Sequence, residues 1–153
     1  MNRAQRRDAR RPQRIRQPDR TAAFNTILRH QAIGDHATHN LVIAESAFQQ
    51  LAAGSTDHSL FDELAMAINC GLVRAESIDP LLEATFNAAV VAMTEAMGIH
   101  ARHGRYGFTG PGLGAVGDAL EAYGAIARQS SPQQMKNALD EVLRRCADQR
   151  AAA

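Results

Sequence analysis

Six arginines, Arg3, Arg6, Arg7, Arg10, Arg11 and Arg14, step along the N-terminus by three, one, three, one and three residues. That spacing lays them on one face of a helix. Pro12 would interrupt such a helix, so a continuous cationic face is confined to about residues 2–11. A guanidinium is a planar fork of donors matched to phosphate oxygens, and each phosphate it neutralises releases condensed counterions. The chemistry within reach is anion recognition, with the backbone of RNA or DNA as the first partner class. A solubilising leader and a tail that docks an acidic protein compete for the same charge run.

The stretch His100-Ala-Arg102-His103-Gly-Arg105-Tyr106-Gly-Phe108 is the body's one cluster of basic and aromatic side chains. Arg102, His103, Arg105 and Tyr106 are therefore candidates for a secondary nucleic-acid contact, the ring stacking on a base and the cations holding phosphate. In the alternative reading Phe108 anchors a loop into the core and the rest caps a helix, whose C-terminus favours cations.

Other patterns fail on their own terms. His36/His39 and His100/His103 stand at i, i+3, and a metal site needs a third and usually a fourth ligand, which Asp35 or His58 would supply only through tertiary structure. Gly112-Leu-Gly-Ala-Val-Gly117 spells G-x-G-x-x-G, but a dinucleotide site requires a strand before it and a βαβ unit around it. The spacing of Gly110, Gly114, Gly117 and Gly124 instead predicts a helix face bare enough for a second helix to approach closely, where Gly117→Leu would overpack. No nucleophile elbow surrounds Ser46 or Ser55, and Asp62/Glu63 and Asp140/Glu141 are neighbours in sequence rather than opposed carboxylates. Cys70 and Cys146 fall on apolar helix faces, where a thiol behaves as a small hydrophobe. We assign no catalytic residue, metal ligand or cofactor.

The elements that must position these groups follow from composition and periodicity. The 153 residues are 45% hydrophobic, 22% charged and 5% aromatic, which suits one helical domain and disfavours a β-sandwich or barrel. A net charge of +1 conceals an asymmetry: residues 1–20 carry eight Arg against two Asp, a charge of +6, and residues 21–153 carry −5. The first twenty residues hold almost nothing to bury, so a disordered basic arm is expected there, with a single helical domain over 21–150.

Helical stripes are expected over 22–32 (Phe24, Ile27, Leu28), 36–53 with Asp35 as cap (Leu41, Ala44, Phe48, Leu51), and from Ser55-Thr56 to about Ser77. Asp79-Pro80 starts the next, running to about Arg102 with Phe86, Ala89, Met93 and Met97 inward. A Gly-rich break over 104–114 precedes a helix to Arg128 on Leu113, Val116, Leu120 and Tyr123. Ser131-Pro132 with Gln134 is a capping box opening the last helix, on Met135, Leu139, Val142, Leu143 and Cys146, and the alanine tail 151–153 should fray. The fold class is all-α: a compact bundle of five to six mostly antiparallel helices.

The segments Gly104-Arg-Tyr-Gly-Phe-Thr-Gly-Pro-Gly-Leu113, Ala119-Leu-Glu121 and Ala138-Leu-Asp-Glu-Val142 resemble small helical proteins encoded on phages and other mobile elements, a likeness spanning about residues 40–146. That resemblance brings no activity and no site residues; it implies host or phage macromolecules as partners. The reading is a non-enzymatic interaction protein, its body docking a protein partner or a second copy and its arm contacting nucleic acid. An inhibitor of a host defence system (anti-CRISPR-like) that acts by protein binding is the alternative, and an enzyme with an unrecognised pocket is the third class. Two cysteines fit a reducing compartment. With no bilayer-length apolar run and no signal core, a cytoplasmic protein without a membrane partner is expected.

Overall fold

The computed structural model describes residues 38–152. Among them are five helices and no strand: α1 (38–52), α2 (His58–Ala75), α3 (Pro80–His103), α4 (Gly110–Gln129) and α5 (Pro132–Ala152). The basic arm, the 22–32 helix and the Asp35 cap lie outside the described residues.

Local chemistry sets the helix ends. Asp57 caps α2, its Oδ1 accepting from Ser59 N at 2.9 Å and Ser59 Oγ at 2.8 Å, and these bonds hold its carboxyl below the usual range. Asp79 accepts from Leu81 N at 2.6 Å, with Pro80 opening α3. Gly104 closes α3 in the left-handed region at φ +71°, its N–H donating to His100 O at 2.8 Å. At α5 the capping box closes both ways: Ser131 N donates to Gln134 Oε1 at 2.8 Å, and Gln134 N to Ser131 Oγ at 3.2 Å. α4 begins inside the expected break, because Thr109 caps it and Pro111 fits its first turn. α5 carries through to Ala152, beyond the point where fraying was expected.

The chain then folds back on itself. Phe86 of α3 lies over Gly71 of α2, Ala92 of α3 faces Gly112 of α4, and Leu41 of α1 rests on Gly124 of α4. Phe48 meets Phe108, just ahead of α4, edge-on at 5.5 Å. These pairings make α2/α3, α3/α4 and α1/α4 antiparallel. α2 is the hub, packing against α3, α4 and α5 with a broad buried face that includes Phe61, Leu64, Ile68 and Ala75.

α5 is placed differently. Arg74 Nε donates to Ser130 Oγ at 3.2 Å, and both Arg145 Nη atoms fork onto Glu76 at 2.8 Å. Ser130 and Arg145 are about 22 Å apart along a helix, whereas Arg74 and Glu76 are neighbours at the end of α2. α5 therefore crosses the end of α2 instead of running beside it, and buries only Ala138 and Val142. Leu139 and Leu143, expected inside, are 38% and 51% exposed for this reason. Met97 and Leu113 are likewise half-exposed, because the apolar stripes of α3 and α4 are wider than the faces they bury.

The expected glycine face is corrected. Among the described residues a Cβ on Gly110, Gly114 or Gly117 would meet nothing within 4 Å, so none of the described helices approaches there and Gly117→Leu would not overpack against them. Close approach occurs at Gly124, where a Cβ would lie 3.0 Å from Leu41 Cδ2; at Gly112, where it would lie 3.4 Å from Ala92 Cβ; and above all at Gly71, where it would overlap the Phe86 ring. Phe86 is fully buried and has nowhere to go. Gly71→Ala should lower stability by about 1–3 kcal/mol through overpacking, read as a fall in urea midpoint, whereas Gly117→Ala should raise it by up to about 1 kcal/mol through helix propensity.

Acid sensitivity follows from the α5 contacts. Hydrogen bonds from Arg144 and then Arg145 hold the Glu141 carboxyl down at about 2, and Arg145 lowers that of Glu76. Both folded values lie below the ordinary glutamate value of about 4.3. Their stabilisation is thus fully present above the unfolded value of about 4.3 and is lost as pH falls from that value toward about 2. The urea midpoint should decline across that window, and Glu76→Gln should lower it at pH 7 while flattening its pH dependence.

Candidate interaction surface

The end of α3, the 104–109 loop and the start of α2 meet at one end of the molecule. The backbone brings them together first: Tyr106 N donates to Ser55 O at 2.9 Å, drawing the loop onto the turn before α2. Tyr106 then inserts its ring between His100, 4.3 Å away between centroids, and Phe61, 5.0 Å away, both nearly parallel to it. Its hydroxyl bonds His58 Nδ1, and His58 Nε2 lies 3.9 Å from Asp62 Oδ1. Burial, reinforced by the Asp62 charge, pushes the Tyr106 phenol up.

This arrangement sorts the four candidates. Arg102, His103 and Arg105 are exposed and gathered at this end, as a shared contact would require. Tyr106 is not available to a base: it is 2% exposed, and both ring faces are occupied by His100 and Phe61. Its role is to fasten the loop. Phe108 is half-buried against Phe48, as the loop-anchor reading expected of it, and Tyr106, which that reading left to a helix cap, is a second anchor. Arg3, Arg6, Arg7, Arg10, Arg11 and Arg14 lie outside the described residues.

Three of the four cations on α5 are neutralised: Lys136 pairs with Asp140, Arg144 with Glu141 and Asp148, and Arg145 with Glu76 and Glu141, leaving Arg150 in the last turn. Arg102 and Arg105 have no carboxylate at ion-pair distance among the described residues. Arg102 folds back toward Gly98, and Arg105 lies over Gly54, whose backbone at φ +94° leaves the space open. Their charge is directed at solvent, over a body whose described residues hold eight basic and thirteen acidic groups.

Acid–base and metal chemistry find little footing elsewhere. Burial lifts the Cys70 thiol to about 11 and the Tyr123 phenol to about 12, so both are protonated and unreactive near neutrality. Among the described residues no three His, Cys, Asp or Glu side chains converge as metal ligands. Two shallow grooves flank α4: one against α1, lined by Leu41, Phe48 and Leu120, and one against α3, lined by Ala84, Ala88 and Gly114. No helix among the described residues is long and apolar enough to cross a membrane.

Sequence reasoning weighed His58 only as a further metal ligand and Asp62 only beside Glu63, and missed that the two join Tyr106. Their i, i+4 spacing behind the Asp57 cap was the available signal, but only the fold shows that Tyr106 is the third member. Tyr106→Phe removes one hydrogen bond and keeps the stack, so it should cost about 1 kcal/mol; Tyr106→Ala empties the sandwich and should cost about 3–5 kcal/mol, both measured by urea denaturation. Comparison of the chain with protein-family models, with curated proteins and with solved structures gives no match, so the reading of this surface rests on its own geometry and charge.

Proposed function

We propose that this chain is a non-enzymatic interaction protein of the phage or mobile-element type, whose basic N-terminal arm and α3-end cations contact nucleic acid while its helical body docks a protein. The observation that carries this reading is the gathering of exposed cations at the end of α3: Arg102, His103 and Arg105 stand within four positions of one another, and neither arginine has a carboxylate at ion-pair distance among the described residues, whereas Lys136, Arg144 and Arg145 of α5 are paired. The arm adds eight more arginines to an otherwise acidic chain. Guanidinium groups without carboxylate partners are the ones free to exchange counterions for phosphates.

The geometry also limits what kind of contact this is. With Tyr106 turned inward, the α3 end offers charge and hydrogen bonds but no stacking platform. It would hold backbone without reading sequence, since phosphate contacts position and base contacts specify.

Electrophoretic mobility and anisotropy titrations with a generic duplex test the reading. The full chain should bind at low salt, with log K falling by about 0.9 per phosphate neutralised as log salt rises. Deleting residues 1–20 should abolish binding and leave the helical spectrum intact. Arg102→Ala with Arg105→Ala should weaken binding and reduce the salt slope by about 1 for each phosphate left without its arginine. Equal binding by the full and truncated chains, or none by either at low salt, removes nucleic acid from the account. If the protein instead blocks a nucleic-acid-binding defence protein without binding nucleic acid itself, the inhibitor reading replaces this one.

A further inference from the structure

Gly117 stands in the middle of α4, where glycine weakens a helix, and a Cβ there would meet nothing within 4 Å. Packing among the described residues therefore gives no reason for it. It opens instead into the groove between α1 and α4, a space of about 540 Å³. The apolar part of that groove is Leu41, Phe48 and Leu120, and each wall contributes one carboxylate, Glu45 from α1 and Glu121 from α4. Both carboxylates are exposed, and neither is in an ion pair among the described residues. Arg128 marks one end, its Nη1 3.4 Å from where a Gly124 Cβ would be.

We propose that the α1/α4 groove docks an amphipathic helix of a partner protein, one that presents an apolar face flanked by Lys or Arg. The inference rests on the reading that the helical body binds a protein, and it names the chemistry of that partner. Two roughly antiparallel helices form a trough for a third, the mode in which apolar anchors at i, i+3, i+4 and i+7 fill a groove. Gly117 lets the incoming backbone approach the floor closely. Glu45 and Glu121 lie on the two flanks of the occupant, so its flanking charges must be positive. The same carboxylates repel phosphate, which separates this face from the cationic end of α3. Arg128 favours the carbonyl end of the bound helix, where the macrodipole is negative.

The test uses the full chain and a synthetic helix carrying Leu at i, i+3, i+4 and i+7 with Lys on both flanks, followed by anisotropy and by amide shifts. The Lys peptide should bind saturably, with shifts centred on Leu41, Gly117 and Leu120, and its Glu-flanked counterpart should not. E45K/E121K should weaken the Lys peptide by roughly tenfold or more and take up the Glu peptide in its place; E45Q/E121Q gives the milder loss should the reversal perturb folding. Gly117→Leu fills the floor and should abolish binding without lowering the thermal midpoint. Equal binding of the two peptides, or unchanged binding by E45K/E121K and Gly117→Leu, overturns the proposal. Photo-crosslinking from position 49 to a second copy, or to residues 1–37 of the same chain, assigns the groove another occupant and also overturns it. Duplex binding by Gly117→Leu keeps the two readings apart, because that substitution changes no charge and leaves the Arg102/Arg105 end untouched.

Discussion

Phe86 lying on Gly71 is the contact around which the rest of the fold is arranged. Ten of the 23 buried hydrophobic residues are alanine, so more than two core positions in five contribute a single methyl group. Such a core excludes water only if its helices lie close together, because interiors reach crystal-like density and a gap forfeits dispersion energy. Gly71 provides that approach between α2 and α3, and Gly112 and Gly124 do the same for α3/α4 and α1/α4. The few large side chains, Phe86, Phe61, Tyr106 and Tyr123, then act as wedges whose positions allow little freedom. Because α2 is the hub, an error at its glycine would be felt at both ends of the bundle.

The Tyr106 sandwich follows from the same scarcity of large residues. Four rings, from His58, Phe61, His100 and Tyr106, gather where α3 ends and α2 begins. They fix the 104–109 loop, and so the start of α4. Arg102 and Arg105, without a carboxylate partner among the described residues, thus project from a rigid base rather than a loose turn, the arrangement the proposed contact with a charged partner would need.

What could be read from the sequence was mostly local. Asp79-Pro80 and Ser131/Gln134 marked helix starts because a cap is a short-range hydrogen-bond pattern, and both form as expected. The stripes on α1 and α2 were legible for the same reason. Glycine spacing misled: Gly114 and Gly117 share a face with Gly124, but of the three only Gly124 has a close neighbour among the described residues, since spacing cannot say where another helix lies. Gly71 drew no notice, being a lone glycine inside a good helix. Tyr106 looked like a surface aromatic among basic residues, and its inward turn depends on His58 and Phe61, more than forty positions away. The Glu76–Arg145 fork joins residues 69 apart and had no sequence signal at all.

The crossing of α5 over α2 also shapes how the molecule comes apart. A helix that buries only two residues fully and is held by surface-accessible ion pairs is a small cooperative unit with a low opening free energy. The remaining helices share a closely packed core and open together. Native-state fluctuations would then lift α5 while α2, α3 and α4 stay closed, uncovering the part of α2 that α5 packs on and freeing the half-buried thiol of Cys146, but leaving Cys70 enclosed. The C-terminal helix is in that sense a detachable cover over one stretch of the hub helix.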